Sequence, residues 1–241
     1  MVRRFVGFGR AVARTPAVAT QPALHRFSSR FHRVMSEGRR ILSVDGNTPR
    51  GSAMTPSWSH DDILHGWWVQ PGRLLAGEYP ASLDKAKGVQ KRRVLLEAGV
   101  DSIVDLTEVG ERSWGGAVLE DYRGALNRAA DDLGLARPNC VRLPIRDQST
   151  IADDGYDRIV EHIRAELDAG RVVYVHCWGG KGRTATVVGA WLIAEEGLDA
   201  DAALHRIGEL RAGTRKAGDP APENDEQCGV LRRLAARRVV S

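Results

Sequence analysis

The sequence lacks the features of disulfide-rich secreted proteins and of membrane-spanning proteins. It has only three cysteines in 241 residues, too few and too scattered for a disulfide framework. No apolar run approaches the ~18 residues that a membrane-spanning helix needs. Hydrophobic residues make up 42% of the chain, which is typical of a soluble globular protein. We therefore expect a reducing, cytoplasmic setting and no transmembrane segment.

Acidic residues are almost absent from the first 55 positions. This stretch holds ten arginines, no lysine and two acids, whereas the remainder carries 25 basic and 29 acidic side chains. The remainder therefore does not resemble a nucleic-acid-binding surface. We predict a disordered basic tail over residues 1–55 and a folded domain over residues 56–241. The alternatives for the tail are an organelle-targeting segment and a true start at Met35 or Met54.

Strand-like and helix-like stretches alternate from residue 73 onward. Short apolar runs predict strands at residues 74–76, 102–106, 140–143 and 172–175, and the last is apolar on both faces, as a central parallel strand should be. Apolar spacing predicts helices over residues 82–98, 118–133, 153–168, 184–195, 199–211 and 223–238. Ser82 is the expected cap of the first helix, and Asp153 or Asp154 that of the third. This order predicts an α/β domain with a central, mainly parallel sheet flanked by helices.

The segment HCWGGKGRT, residues 176–184, carries the strongest functional signal. It lies between the predicted central strand and an apolar helix, so a tight loop there presents backbone N–H groups and the positive end of the helix dipole. Its glycines let the backbone curl around an anion, and the guanidinium of Arg183 can hold two phosphate oxygens. The predicted phosphate-binding residues are Trp178, Gly179, Gly180, Lys181, Gly182 and Arg183.

Cys177 stands where the predicted strand ends and this loop begins. A helix N-terminus and nearby cations lower the pKa of a thiol, so a thiolate is expected at neutral pH beside the bound phosphorus. Attack on phosphorus gives a phosphocysteine, which water then hydrolyses. We expect His176 to orient the loop and the Thr184 hydroxyl to donate to the sulfur.

The spacing of cysteine and arginine is weak evidence by itself. Cys140 and Arg146 have the same separation, but no glycine lies between them and no helix start follows. A Walker loop is excluded, because valine occupies position 175, where that motif needs glycine. A dinucleotide-binding pattern starts at Gly180, yet no strand follows its helix to complete a βαβ unit.

Two further steps of phosphoester hydrolysis need their own residues. The leaving oxygen needs a proton, and Asp147 is the candidate general acid, since loops at the carboxyl ends of parallel strands surround one crevice. Its alternative is an ordinary solvated carboxylate. Hydrolysis also needs an oriented water; Glu223 and Gln227 lie four residues apart at the start of the predicted last helix and share one face, but this spacing alone does not make Gln227 catalytic. Their alternative role is that of an ordinary helix start.

These residues resemble the signature loop of the protein-tyrosine phosphatase superfamily, and the compact acid loop resembles its dual-specificity branch. The segments LAGEYP (75–80), DLTE (105–108) and PENDEQ (222–227) are similar to those of bacterial dual-specificity-like phosphatases, and the resemblance covers roughly residues 67–238. It implies Cys177 as nucleophile, Arg183 as phosphate ligand, Asp147 as general acid, and no metal or cofactor. It also implies that Glu223 or Gln227 helps to position water. Ala185 stands where many members have glycine, but a small residue still fits.

The resemblance leaves the substrate open. We expect phosphotyrosine, and as further substrates phosphoserine or phosphothreonine, on proteins or in small phosphoesters. Tensin-like lipid phosphatases carry a lysine at the position of Lys181, so a phosphoinositide or inositol polyphosphate phosphatase is the alternative. The acidic balance after residue 55 disfavours a membrane surface. A third hypothesis is a non-catalytic phosphate-binding module, although such a module needs neither Cys177 nor Asp147.

Cys140 and Cys228 are the other two cysteines. We expect structural thiols, and the alternative is a disulfide that shields Cys177 from oxidation.

Overall fold

The strands and helices of the computed structural model lie within residues 58–239, which are the residues that it describes. The predicted tail at residues 1–55 lies outside them. In chain order the described elements are β1 (Gly66–Gln70), β2 (Leu74–Gly77), α1 (Lys85–Glu97), β3 (Ser102–Asp105), α2 (Arg123–Asp132), β4 (Asn139–Arg142), α3 (Asp153–Asp168), β5 (Val173–His176), α4 (Gly182–Glu196), α5 (Ala200–Arg211) and α6 (Asp225–Val239).

The strands form one sheet in the order β1-β2-β5-β3-β4, with β5 at its centre. Strands β2, β5, β3 and β4 run parallel, and β1 pairs antiparallel with β2 at the edge. Val175 of β5 lies opposite Ala76 on one side and Val104 on the other. The α/β class, the mainly parallel sheet and the central position of this strand are thus confirmed.

Helices cover both faces of the sheet, because alternate strand residues point to opposite faces and every residue of β2, β3 and β5 is buried. On one face, Ala76, Val104 and Val175 join apolar residues of α3, α4, α5 and α6. On the other face, Leu75 and Tyr174 join residues of α1 and α2. Because the parallel strands all end at the same edge, the loops that follow β2, β3, β4 and β5 meet there.

Two predicted helix caps are wrong. Helix α1 is capped by Asp84, whose carboxylate accepts the N–H groups of Ala86 and Lys87, and not by Ser82. Helix α3 follows Ala152 without a side-chain cap, and Asp153 begins its first turn. A carboxylate in that position is still stabilised by the helix dipole, so an acid near a helix start does not by itself identify the cap.

The predicted helix over residues 118–133 begins only at Arg123, because residues 111–119 form a β-hairpin instead. Arg112 pairs with Val118 across the hairpin, and the Ser113 N–H donates to the Ala117 carbonyl at 2.8 Å. Its turn contains two adjacent glycines at positions 115 and 116, and the second has φ of +80°. Such a pair favours a hairpin turn. Edge strand β1 was also not predicted.

Candidate active site

Residues 177–183 form the loop between β5 and the first turn of α4. Gly180 has φ of +71°, and a Cβ atom there would lie 2.6 Å from the Gly77 carbonyl carbon and 2.7 Å from the Glu78 nitrogen. Only glycine tolerates both this backbone conformation and this close approach. The loop can therefore pack directly against the end of β2.

Neighbouring elements hold two carbonyl groups of this loop. The Tyr79 N–H donates to the Trp178 carbonyl oxygen at 3.0 Å, and Lys216 Nζ donates to the Gly179 carbonyl oxygen at 2.9 Å. A loop that offers its N–H groups to an anion needs its carbonyl oxygens engaged elsewhere, and these bonds meet that need.

The predicted nucleophile Cys177 is buried at the start of the loop. Burial lowers the pKa of the adjacent His176 imidazole, although the nearby Asp105 carboxylate raises it. A neutral ring with its proton on Nδ1 satisfies both polar contacts: Nδ1 donates to the Cys177 carbonyl oxygen at 3.1 Å, and Nε2 accepts from the Tyr122 hydroxyl at 2.7 Å. The ring thus connects the start of the loop to the start of α2.

The expectation that the Thr184 hydroxyl donates to the sulfur of Cys177 is wrong. Its hydroxyl donates to the Gly77 carbonyl oxygen at 3.4 Å. The reason is the close packing of the loop on the end of β2, which brings that carbonyl next to the first turn of α4.

Arg183 lies at the end of the loop with only 2% of its surface exposed. Its Nη2 is 2.8 Å from Asp147 Oδ1, and its Nη1 donates to the Ile145 carbonyl oxygen at 2.9 Å. The structure therefore brings the candidate acid, from the loop after β4, to the candidate phosphate ligand in the loop after β5. Cys177, Trp178, Gly179 and Lys181 of the loop line one cavity together with Asp147.

Glu111 is a further site residue that the sequence did not indicate. Its two carboxylate oxygens each lie 2.8 Å from a guanidinium nitrogen of Arg183. Burial opposes the charge on Arg183, but the hydrogen bonds and charge of Glu111, together with Cys177 and Asp147, raise the pKa of Arg183 above its usual value. The one sequence signal that points to this hairpin is the pair of glycines at positions 115 and 116, which favours a hairpin turn over a helix.

Lys181 is paired with two carboxylates. Its Nζ lies 3.2 Å from Asp219 Oδ2 and 3.3 Å from Glu223 Oε1. Burial disfavours its charge, but the two carboxylates outweigh this effect and raise the pKa of Lys181. Its ammonium group is thus already neutralised by side chains of the same domain.

Glu223 and Gln227 meet the loop at Gly182. The Gly182 N–H donates to Glu223 Oε2 at 3.1 Å, and the Glu223 N–H donates to Gln227 Oε1 at 2.9 Å. Gln227 is fully buried, and within residues 58–239 its Nε2 has no hydrogen-bond partner. A Cβ atom at position 182 would come within 2.4 Å of Glu223 and 2.9 Å of Gln227. Both side chains therefore contact the backbone that would surround a bound phosphate.

A family model described as Swiss Army Knife protein, DSP-PTPase phosphatase domain (PTP-SAK), matches residues 66–241. The chain belongs to this family. It is a phosphatase of the protein-tyrosine and dual-specificity class, as the resemblance of its sequence predicted. None of the helices described between residues 58 and 239 is long and apolar enough to cross a membrane.

Solved structures of phosphatases share the fold of this domain. Tk-PTP in its active form is 24% identical with a TM-score of 0.55, over 71% of this chain and 97% of that one. Kinase associated phosphatase, with its catalytic cysteine replaced by serine, is 19% identical with a TM-score of 0.54, over 74% and 97%. PTPMT1 in complex with PI(5)P is 19% identical with a TM-score of 0.51, over 70% and 94%.

A second group of residues that the sequence did not indicate supports the loop of the phosphatase domain from outside. The buried carboxylate of Glu78 lies 2.8 Å from Lys91 Nζ, 2.6 Å from Arg215 Nη2 and 2.7 Å from Lys216 Nζ. Burial would raise the pKa of Glu78, but the charges and hydrogen bonds of the two lysines lower it to about 2. Lys216 also donates to the Gly179 carbonyl oxygen. Glu78 therefore fixes the position of Lys216, which in turn anchors the loop of residues 177–183.

The remaining cysteines of the phosphatase domain are Cys140 and Cys228, in β4 and α6. All three cysteines are free thiols. Cys140 lies within β4 and not at the start of a loop that leads into a helix, unlike Cys177, and burial raises the pKa of its thiol to about 11. Across residues 58–239 no cluster of three or more His, Cys, Asp or Glu side chains is arranged to hold a metal ion.

Proposed function

We propose that this domain hydrolyses phosphomonoesters through a phosphocysteine intermediate. Its expected substrates are phosphotyrosine and, in addition, phosphoserine or phosphothreonine in proteins. The observation that carries the proposal is that Cys177 and Asp147, from the loops after two different strands, line one cavity, while Asp147 also pairs with Arg183. A nucleophile, an anion ligand and a proton donor within one site are what two-step phosphoester hydrolysis requires.

In the first step the Cys177 thiolate forms a bond to phosphorus while the bond from phosphorus to the ester oxygen breaks. The protonated carboxyl of Asp147 gives its proton to the leaving oxygen, which departs as an alcohol or phenol. In the absence of substrate Asp147 pairs with Arg183. A bound phosphate competes for that guanidinium, so substrate binding frees Asp147 to meet the leaving oxygen.

In the second step water attacks phosphorus and the bond between sulfur and phosphorus breaks. The Asp147 carboxylate takes a proton from the water, inorganic phosphate forms, and the thiolate is restored. Gln227 is the candidate for positioning this water, because its buried Nε2 lies beside Gly182 and has no hydrogen-bond partner within residues 58–239. Glu223 fixes the orientation of that amide through its own N–H group.

The alternative hypothesis, a phosphoinositide or inositol polyphosphate substrate, depends on Lys181 binding a second phosphate. Lys181 is instead engaged by Asp219 and Glu223. A second phosphate would have to displace these carboxylates, so singly phosphorylated substrates are favoured.

The decisive experiment compares Cys177→Ser with Cys228→Ser in the hydrolysis of p-nitrophenyl phosphate. We expect the first variant to lose turnover and the second to keep it, because Cys228 lies in α6 and has no role in the proposed steps. Trapping of a phosphoenzyme by rapid acid quench of the wild type, and its absence from Cys177→Ser, identifies the intermediate. Turnover that survives in Cys177→Ser contradicts the mechanism, and a wild type that binds phosphate without turnover supports the non-catalytic module.

A further inference from the structure

Exposed apolar side chains gather at the cavity that contains Cys177. Of the seven large apolar side chains exposed within residues 58–239, three line this cavity, namely Leu83, Trp114 and Val118, which we call the apolar rim. Their exposed fractions are 82%, 70% and 49%. Isolated exposed apolar residues are common on any protein, but a cluster at a cavity marks a surface that contacts a ligand.

The apolar rim is held at a fixed place relative to the phosphate-binding loop. The ring of Trp114 packs against that of Trp178, with 5.4 Å between their centroids. Trp114 and Val118 also belong to the 111–119 hairpin, whose Glu111 binds the guanidinium of Arg183. The hairpin thus couples the position of two rim residues to the position of the phosphate ligand. A fixed separation of this kind lets a site select what lies next to the phosphate.

The cavity has room for more than a phosphate group. Its volume is about 600 Å³, within the range of sites that enclose drug-sized ligands. Its charged lining consists of five carboxylates and three ammonium groups: Glu78, Glu120, Asp147, Asp219, Glu223, Lys91, Lys181 and Lys216. This excess of negative charge disfavours a second phosphate or an anionic lipid surface. The space beside the phosphate is therefore suited to an uncharged apolar group of a polypeptide.

We propose that the apolar rim is a specificity subsite for an apolar side chain adjacent to the phosphorylated residue of a polypeptide substrate. This inference rests on the proposed phosphatase function. Leu83, Trp114 and Val118 are the specificity-determining residues, and they act by removing the neighbouring side chain from water.

The test uses two phosphotyrosine peptides that differ only in the residues flanking phosphotyrosine, leucine in one and serine in the other. We expect wild-type kcat/KM to favour the leucine peptide by about tenfold, the effect of a modest apolar contact. Leu83→Ala and Val118→Ala should bring this ratio towards one. Leu83 precedes α1 and is largely exposed, so its truncation leaves the fold intact. Val109→Ala is the matched control, because Val109 is 83% exposed just before the hairpin and does not line the cavity.

Several outcomes overturn the inference. One is a wild type that hydrolyses both peptides equally well, and another is a ratio that Leu83→Ala and Val118→Ala leave unchanged. A third outcome comes from comparing activity on a phosphatidylinositol monophosphate in detergent micelles with activity on its soluble head group. If the wild type prefers the diacyl form and the rim variants remove only that preference, the occupant of the apolar rim is an acyl chain. A wild type that does not hydrolyse p-nitrophenyl phosphate at all would instead contradict the proposed phosphatase function itself.

Discussion

Glu111 binds Arg183 through both of its carboxylate oxygens, and each lies 2.8 Å from a guanidinium nitrogen. The pair is buried, and the hairpin that carries Glu111 lies between β3 and α2. Since the guanidinium is oriented before the substrate arrives, phosphate binding loses no conformational entropy in ordering this side chain. We therefore propose that Glu111 is a positioning residue for Arg183, the proposed phosphate ligand.

The substitution Glu111→Gln tests this relationship. It preserves the shape of the side chain but removes the charge, so Arg183 loses its strongest partner while Asp147 and the Ile145 carbonyl remain. We expect kcat/KM for p-nitrophenyl phosphate to fall about tenfold, equivalent to ~1.4 kcal/mol. Glu108→Gln, at an exposed position three residues earlier, is the control. Equal effects of the two substitutions would refute a specific role for Glu111.

The role of Asp147 as proton donor predicts a dependence on the leaving group. Asp147→Asn should lower kcat for phenyl phosphate by about 10²–10⁴-fold, the usual contribution of general acid catalysis. The loss should be much smaller for p-nitrophenyl phosphate, whose leaving group needs little protonation. Asp154→Asn, on the exposed surface of α3, is the control. A loss of the same size for both substrates would assign Asp147 to binding.

The pairing of Lys181 with Asp219 predicts how substrate choice can be changed. Asp219→Asn removes one of the two carboxylates from the ammonium group, which then becomes available to a second phosphate. We expect kcat/KM for an inositol bisphosphate, relative to p-nitrophenyl phosphate, to rise roughly threefold, in keeping with a partly exposed ion pair. In the wild type, Lys181→Met should reduce both activities alike. A selective loss on the bisphosphate would restore the lipid-phosphatase hypothesis.

The depressed pKa of Glu78 predicts a loss of stability in acid. A carboxyl whose pKa falls from 4.5 to about 2 on folding contributes stability that is complete above the higher value and is lost as the pH falls through the lower one. The shift corresponds to about 3 kcal/mol. Urea unfolding should therefore show Glu78→Gln less stable than the wild type at pH 6, with the difference shrinking towards pH 3.

The control for this stability measurement is Glu196→Gln, at the exposed end of α4. It should follow the wild-type dependence of unfolding free energy on pH. A constant difference between Glu78→Gln and the wild type over the same pH range would mean that Glu78 acts by packing rather than by charge.

The sequence by itself determined the fold class and indicated the segment that we propose carries the chemistry. Residues 172–175 are a continuous apolar run, and glycines follow them where the loop must turn tightly, so both signals can be read from a few neighbouring residues. The proximity of Cys177 and Asp147 could be predicted for a different reason. Loops at the carboxyl ends of parallel strands meet at one edge of the sheet, and that rule needs only the strand order.

Only the tertiary structure decided which charges meet. Glu111 and Arg183 are 72 residues apart, and nothing in the local pattern around residue 111 indicates that its side chain reaches the loop after β5. Glu78 and Lys216 are likewise 138 residues apart. The orientation of Thr184 and the engagement of Lys181 by Asp219 depend on the same long-range packing. Periodicity and turn chemistry report the backbone conformation of neighbouring residues, whereas the partner of a buried charge is set by which loops the fold brings together.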